Sequence, residues 1–137
     1  MAKNDPTVFI SYSHKDSEVA DALLRALEMR GLDVWSDSKI MPGTDWRQEI
    51  ERALKKAQFY LVILTPDSVA SQWNNFEIGV ALGRQAESQD VHVIPILLRD
   101  VRLPSQLSGV LYLDGRDMDI NQLGEKIYEI IAEAKFK

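Results

Sequence analysis

The run Phe59-Tyr60-Leu61-Val62-Ile63-Leu64, closed by Thr65-Pro66-Asp67-Ser68, decides the fold. Its residues are apolar without alternation, so the segment reads as a strand covered on both faces, as strands of parallel sheets are. Downstream, Ser71-Gln72-Trp73-Asn74-Asn75-Phe76-Glu77 leads into a helix that starts near Trp73 and runs to about Ala86. Upstream, Trp46, Ile50, Ala53, Leu54 and Ala57 recur at helical spacing behind a cap at Thr44 or Asp45. A fully buried strand between two helices is the unit from which α/β sheets are built.

The same alternation extends in both directions. Val8-Phe9-Ile10-Ser11-Tyr12 reads as a first strand, and the polar loop Ser13-His14-Lys15-Asp16-Ser17 ends where a helix can be capped. Val19, Ala20, Leu23, Leu24 and Leu27 form the stripe of that helix, and Gly31 stands at its terminator position. Leu32-Asp33-Val34-Trp35-Ser36 is a short second strand, followed by a loop from Asp37 to Gly43 with the turn pair Pro42-Gly43. Val91 to Leu98 is a fourth strand in which Pro95 demands a bulge or an edge, and Val110-Leu111-Tyr112-Leu113 is a fifth. Asp119-x-x-Gln122 opens a last helix striped by Leu123, Ile127, Ile130, Ile131 and Ala134.

These elements predict an α/β, flavodoxin-like, doubly wound parallel sheet of five strands in the order 2-1-3-4-5 with helices on both faces. At 137 residues the whole chain, 1–137, reads as one domain with a core from about 7 to 136. A net charge of −5 argues against a nucleic-acid surface and against attraction to anionic membranes. The absence of cysteine excludes disulfides and thiolate metal sites, and two histidines are too few for a histidine-rich metal site. No leader-like start or membrane-length apolar run is present, so a cytoplasmic protein without membrane insertion is expected.

In such a sheet a ligand sits beyond the carboxyl ends of the strands where their order reverses, here between strands 1 and 3. The segments bordering that crevice are Ser11 to Asp16 and Thr65 to Glu77. Trp73 and Glu77 are four apart and share one helix face. A flat ring beside a carboxylate suits a ligand with an aromatic base and either hydroxyl groups or developing positive charge. Asn74-x-x-Glu77 also has the spacing of a capping box, which would make the same glutamate structural. Trp35 in a short strand is expected to pack, Trp46 to anchor its helix, and His92 to be structural.

Several occupants of this architecture are excluded by their missing residues. A response regulator needs an acid cluster after strand 1 and a lysine after strand 5, where this chain has Tyr12-Ser13-His14-Lys15 and Asp114-Gly115-Arg116. No glycine follows strand 1 for a flavin phosphate loop. Neither dinucleotide nor P-loop glycine patterns occur, and no G-x-S-x-G elbow exists for a serine hydrolase.

Several segments taken together resemble the Toll/interleukin-1 receptor/resistance (TIR) domain family. Val8-Phe9-Ile10-Ser11-Tyr12-Ser13 is similar to its first box, with His14-Lys15-Asp16 in the style of bacterial members. Gly31-Leu32-Asp33-Val34-Trp35-Ser36-Asp37 resembles its second strand, and Pro42-Gly43 the proline-glycine pair of its BB loop. Ser71-x-Trp73-x-x-x-Glu77 matches its S-x-W-x-x-x-E motif, and Ile94-Pro95-Ile96-Leu97 its fourth strand. Two departures stand out. Ser38-Lys39-Ile40-Met41 replaces the arginine-aspartate of receptor-type BB loops, and the receptor-type phenylalanine-tryptophan box is absent from Gly124 to Lys137. Both favour a bacterial or plant-like module.

The resemblance implies cleavage of NAD at the nicotinamide–ribose bond, with NAD as substrate and no further cofactor or metal. Glu77 would be the catalytic carboxylate and Trp73 would stack on a base. Ser71 would line the pocket or cap the helix, and Phe9, Ser11, His14 and Lys15 would form the opposite wall. Lys15 would meet a phosphate or remain a solvated loop lysine. Self-association through the BB loop, Asp37 to Gly43, and contacts with other TIR proteins are also implied. The competing expectation is a self-associating adaptor without catalysis.

Overall fold

The computed structural model describes residues 7–36, 42–43, 45–88 and 90–135, without the side chains of Trp46, Gln72, Trp73, Asn74 and Lys135. Its sheet has five parallel strands in the order β2-β1-β3-β4-β5, as expected. The strands are β1 (Thr7–Ser11), β2 (Asp33–Trp35), β3 (Phe59–Leu64), β4 (His92–Leu97) and β5 (Leu113–Asp114). The helices are α1 (Ser17–Glu28), α2 (Trp46–Lys56), α3 (Pro66–Ala70), α4 (Gln72–Glu87) and α5 (Ile120–Lys135).

Every residue of β3 is buried, and alternation along it divides the core into two layers. Phe59, Leu61 and Ile63 pack with Val8 and Ile10 against Leu23 and Leu27 of α1 and Leu123, Ile127 and Ile131 of α5. Tyr60, Val62 and Leu64 pack with Phe9 against Ile50 and Leu54 of α2 and Ile78 and Ala81 of α4. Each fully buried Leu or Ile in these stripes contributes about 1.5–3 kcal/mol. Trp35 packs as expected, its ring stacked on Phe9 at 5.2 Å between centroids. His92 stacks on Phe59 at 5.0 Å.

Gly31 ends α1 with φ of 88°. The Leu32 N–H bonds the Leu27 carbonyl at 3.2 Å and the Gly31 N–H bonds the Glu28 carbonyl at 2.9 Å. This crossed pair is a Schellman motif, and Leu27 and Leu32 meet in the core beneath it. Asp45 caps α2 through its carboxylate on the Arg47 N–H at 3.1 Å. Asp119 and Gln122 form the reciprocal capping box expected at the start of α5, at 2.8 and 3.0 Å. Pro42-Gly43 makes the expected turn, with Gly43 at φ of 87°; residues 37–41 and 44 lie outside the described residues.

Three expectations are corrected. The fifth strand, expected at Val110 to Leu113, comprises Leu113–Asp114 and pairs only with Ile96 and Leu97. Val110 is held in a turn by its N–H bond to Leu107, and Leu111 is 93% exposed. This short β5 is what accommodates Pro95. The His92 and Leu98 N–H groups point to β3, so by alternation the missing N–H of Pro95 falls on the β5 side, ahead of the first paired residue. Pro95 therefore sits at an edge, in register with Val62 and without a bulge.

The second correction is α3, which the sequence reading treats as a strand-ending loop. Thr65 accepts the Ser68 N–H at 3.1 Å and Ser68 Oγ accepts the Thr65 N–H at 2.9 Å, a capping box with Pro66 in the first turn. The third concerns Asn74. Because α4 begins at Gln72, Asn74 lies inside its first turn and Glu77 in its second. The Asn75 N–H bonds the Ser71 carbonyl at 3.1 Å, which makes Ser71 the capping position. The capping-box reading of Asn74 and Glu77 therefore fails on position.

Candidate functional site

Burying a polar side chain costs free energy unless it is hydrogen-bonded, so where a fold tolerates buried polarity is informative. Among the described residues the buried polar side chains are Ser11, Asp16, Ser36, Thr65, Ser68 and Glu77. All belong to the carboxyl-terminal side of the sheet. Ser11 ends β1, Asp16 and Ser36 follow β1 and β2, Thr65 and Ser68 follow β3, and α4 carries Glu77. Among the described residues the rest of the interior is apolar apart from the Tyr60 hydroxyl. Polarity is thus concentrated at the end where the strand order reverses between β1 and β3.

At the centre of this end Ser11 Oγ donates to Glu77 Oε1 at 2.8 Å. Ser11 shares the alternation of Phe9 and so faces the α2 and α4 layer, where Glu77 comes down from the second turn of α4. The pair joins residues separated by 66 positions in the chain. Glu77 is only 5% exposed. A serine donor to a buried carboxylate fixes the orientation of the acid.

A second network lies beside the first. Asp16 is buried, and its carboxylate receives the Thr65 hydroxyl and the Arg99 guanidinium, each at 2.6 Å. It thereby ties together the segments after β1, β3 and β4. Separately, at the exposed end of β5, Arg116 bridges Asp100 and Asp114. Hydrogen bonds from the Arg116 side chain and backbone hold the Asp114 carboxyl down to about 2. Two turns further along the same face of α4, Arg84 donates to the Ala57 carbonyl at 2.8 Å and to the Tyr60 hydroxyl at 2.6 Å, and Tyr60 donates to the Leu54 carbonyl. Burial raises the Tyr60 phenol above its ordinary range, with the Arg84 hydrogen bond opposing.

The structure brings Ser11 and Glu77 into contact and leaves other expected site residues apart. Phe9 is 1% exposed and lies between Trp35 and Tyr60, within the core and under the Ser11–Glu77 pair rather than on an open wall. His14 and Lys15 are exposed on a 3-10 turn. Lys15 reaches Asp67 at 3.7 Å and borders a cleft of about 400 Å³ with Asp16, Val19, Arg99 and Ile120, on the α1 and α5 side of the sheet. Ser71 links α3 to α4 and is half-buried. The side chain of Trp73 lies outside the described residues.

The sequence reading missed the Asp16–Thr65–Arg99 network. Thr65-Pro66-x-Ser68 carried a local signal, since a threonine before proline is a helix start. Asp16 carried no comparable one, because its partners are 49 and 83 positions away. Among the described residues there is no metal-binding cluster, and no helix is long and apolar enough to cross a membrane.

Comparison with known proteins agrees with this fold. The family model described as TIR domain matches residues 8–128. The chain is 28% identical over 135 residues to "NAD(+) hydrolase TirS" of Staphylococcus aureus, covering 93% of the chain and 48% of that protein. It is 28% identical over 91 residues to "2' cyclic ADP-D-ribose synthase AbTIR" of Acinetobacter baumannii, covering 65% of the chain and 34% of that protein. The chain thus spans about half, or less, of the length of these relatives. In fold it is similar to the TIR domain of the Toll-related receptor TRR-2 of Hydra magnipapillata, with TM-score 0.75 and 24% identity over 91% of this chain and 97% of that one. A family match across most of the length, the same sheet order and a glutamate at the strand-order reversal lead to one conclusion: the chain belongs to the TIR domain family.

Proposed function

We propose that this chain cleaves NAD at the bond between nicotinamide and ribose, with Glu77 as the catalytic carboxylate. The observation that carries the reading is the buried Ser11–Glu77 hydrogen bond at the carboxyl end of β1. An oriented carboxylate held out of water suits a reaction that develops positive charge on the ribose. The names of relatives such as the NAD(+) hydrolase of Staphylococcus aureus and the cyclic ADP-ribose synthase of Acinetobacter baumannii support the substrate.

The chemistry requires little else. Nicotinamide in NAD is already cationic and leaves with the bonding pair as a neutral base, so no general acid is needed. Glu77 would stabilise the oxocarbenium-like ribose or hold its hydroxyls. Addition of water gives ADP-ribose and addition of a hydroxyl of the same molecule gives a cyclic isomer, each with loss of one proton to solvent. Trp73 is proposed to stack on a base, with Ser71 bordering the substrate. Self-association through the loop at 37–43 is proposed to accompany activity, and a cytoplasmic setting in immune or defence signalling fits the reading.

The burial of Glu77 favours a second reading, a self-associating module without catalysis, because a carboxylate bonded to Ser11 can also serve packing alone. Purified protein incubated with NAD at low and high concentration separates the two. Catalysis predicts nicotinamide release that rises more than in proportion to protein. The mass of the second product then identifies hydrolysis or cyclisation. Folded protein that leaves NAD intact at every concentration overturns the catalytic reading.

A further inference from the structure

Asp16 stands at the N-cap position of α1, where an aspartate ordinarily bonds a first-turn N–H, yet it makes no side-chain cap. The chain forgoes an interaction worth about 1 kcal/mol at that helix start. The carboxylate instead turns inward, with side-chain exposure of 0%, to Thr65 and Arg99. A buried charge is tolerated only when well paired, so this arrangement is demanding of geometry.

What Asp16 holds is the start of the segment that bears the proposed catalytic residue. The Thr65 hydroxyl donates a hydrogen bond to Asp16 and accepts the Ser68 N–H, so one oxygen joins the β1 loop to the first turn of α3. Only Ser71 separates α3 from α4. The Ser71 N–H bonds the Ser68 carbonyl at 3.1 Å, and the Ser71 carbonyl accepts the Asn75 N–H at 3.1 Å. A continuous run of hydrogen bonds therefore leads from Asp16 to the turn of α4 preceding Glu77. Asp16 is itself anchored, its N–H on the Ser13 carbonyl at 2.8 Å.

We propose that Asp16 is a positioning residue: through Thr65 it sets the placement of α3 and the start of α4, and so the placement of Glu77 against Ser11. The role in turnover rests on the reading of Glu77 as catalytic; the role in holding the segment does not. The test compares Asp16→Ala, Thr65→Val and Thr65→Ser in the full chain by amide hydrogen exchange and by NAD cleavage. Asp16→Ala and Thr65→Val are expected to speed exchange across 66–77 while 92–97 and 123–131 stay protected. They are expected to lower kcat about 10–100-fold with KM little changed, since misplacement by about 1 Å costs on that order. Thr65→Ser keeps the hydroxyl and is expected to behave as wild type.

If Asp16→Ala fails to fold, Asp16→Asn takes its place; it keeps the shape and one acceptor but loses the charge that Arg99 meets. Unchanged exchange across 66–77 in the aspartate variants overturns the proposal, and so does a uniform loss of protection over the whole sheet. A wild-type protein that leaves NAD intact overturns the catalytic reading alone, and the exchange pattern then still decides the role of Asp16.

Discussion

Replacing Ser11 with alanine removes one donor from a carboxylate that is only 5% exposed. The bond is 2.8 Å long, buried, and has a carboxylate oxygen as its acceptor. Hydrogen bonds of this kind contribute about 1.5–3 kcal/mol, against about 1 for a neutral pair. For a chain of this size that corresponds to a fall in Tm of roughly 5–12 °C. In a Glu77→Ala background the acceptor is gone, and the cost of Ser11→Ala is then expected to fall by most of the energy of that bond. The double-mutant cycle should therefore return a coupling of about 1–2.5 kcal/mol. Urea unfolding followed by tryptophan fluorescence measures it, with an unchanged m-value as the sign that the unfolded state is the same. Single costs that add to within about 0.5 kcal/mol would refute the claim that Ser11 holds Glu77.

Gly31 sits at φ of 88°, so Gly31→Ala should destabilise the chain by about 1–2 kcal/mol, the cost of a side chain in the left-handed region, although the space around it is open. Urea midpoints read this directly, and an unchanged midpoint would contradict it. The Tyr60 phenol is raised by burial, so the folded state favours its protonated form. The stability this contributes is complete below the unfolded value of about 10 and is lost as pH rises through the higher folded value. Absorbance titration at 295 nm of Tyr60→Phe should lack the late, high-pH component seen in wild type; identical curves would contradict the assignment.

The sheet was legible because its cause is local. Phe59 to Leu64 is apolar throughout, as a short strand covered on both faces is, and helical stripes on either side dictate the crossovers. Glu77 was legible through its spacing from Ser71 and Trp73, and topology placed that segment beside Ser11. Two kinds of feature were not legible. The length of β5 is decided by pairing with β4 at Ile96 and Leu97, a tertiary matter, so apolar Leu111 looked like strand and is in fact exposed. The partners of Asp16 lie far away in the chain, and a polar residue before a helix reads as a cap unless its long-range contacts are known. Phe9 illustrates the remaining ambiguity. Strand parity puts it on the same face as Ser11, but only packing reveals that Trp35 and Tyr60 cover it.

The most direct test is the rate of nicotinamide release from NAD by wild-type protein and by Glu77→Ala, at equal concentration and with folding verified for both. If the carboxylate supplies an electrostatic contribution of the size of one oxyanion-hole donor, about 3–4 kcal/mol, the variant should be slower by about 10²–10³-fold or more. A folded Glu77→Ala protein that releases nicotinamide at near wild-type rate would contradict the account, since the buried Ser11–Glu77 pair would then serve packing and the chemistry would lie elsewhere.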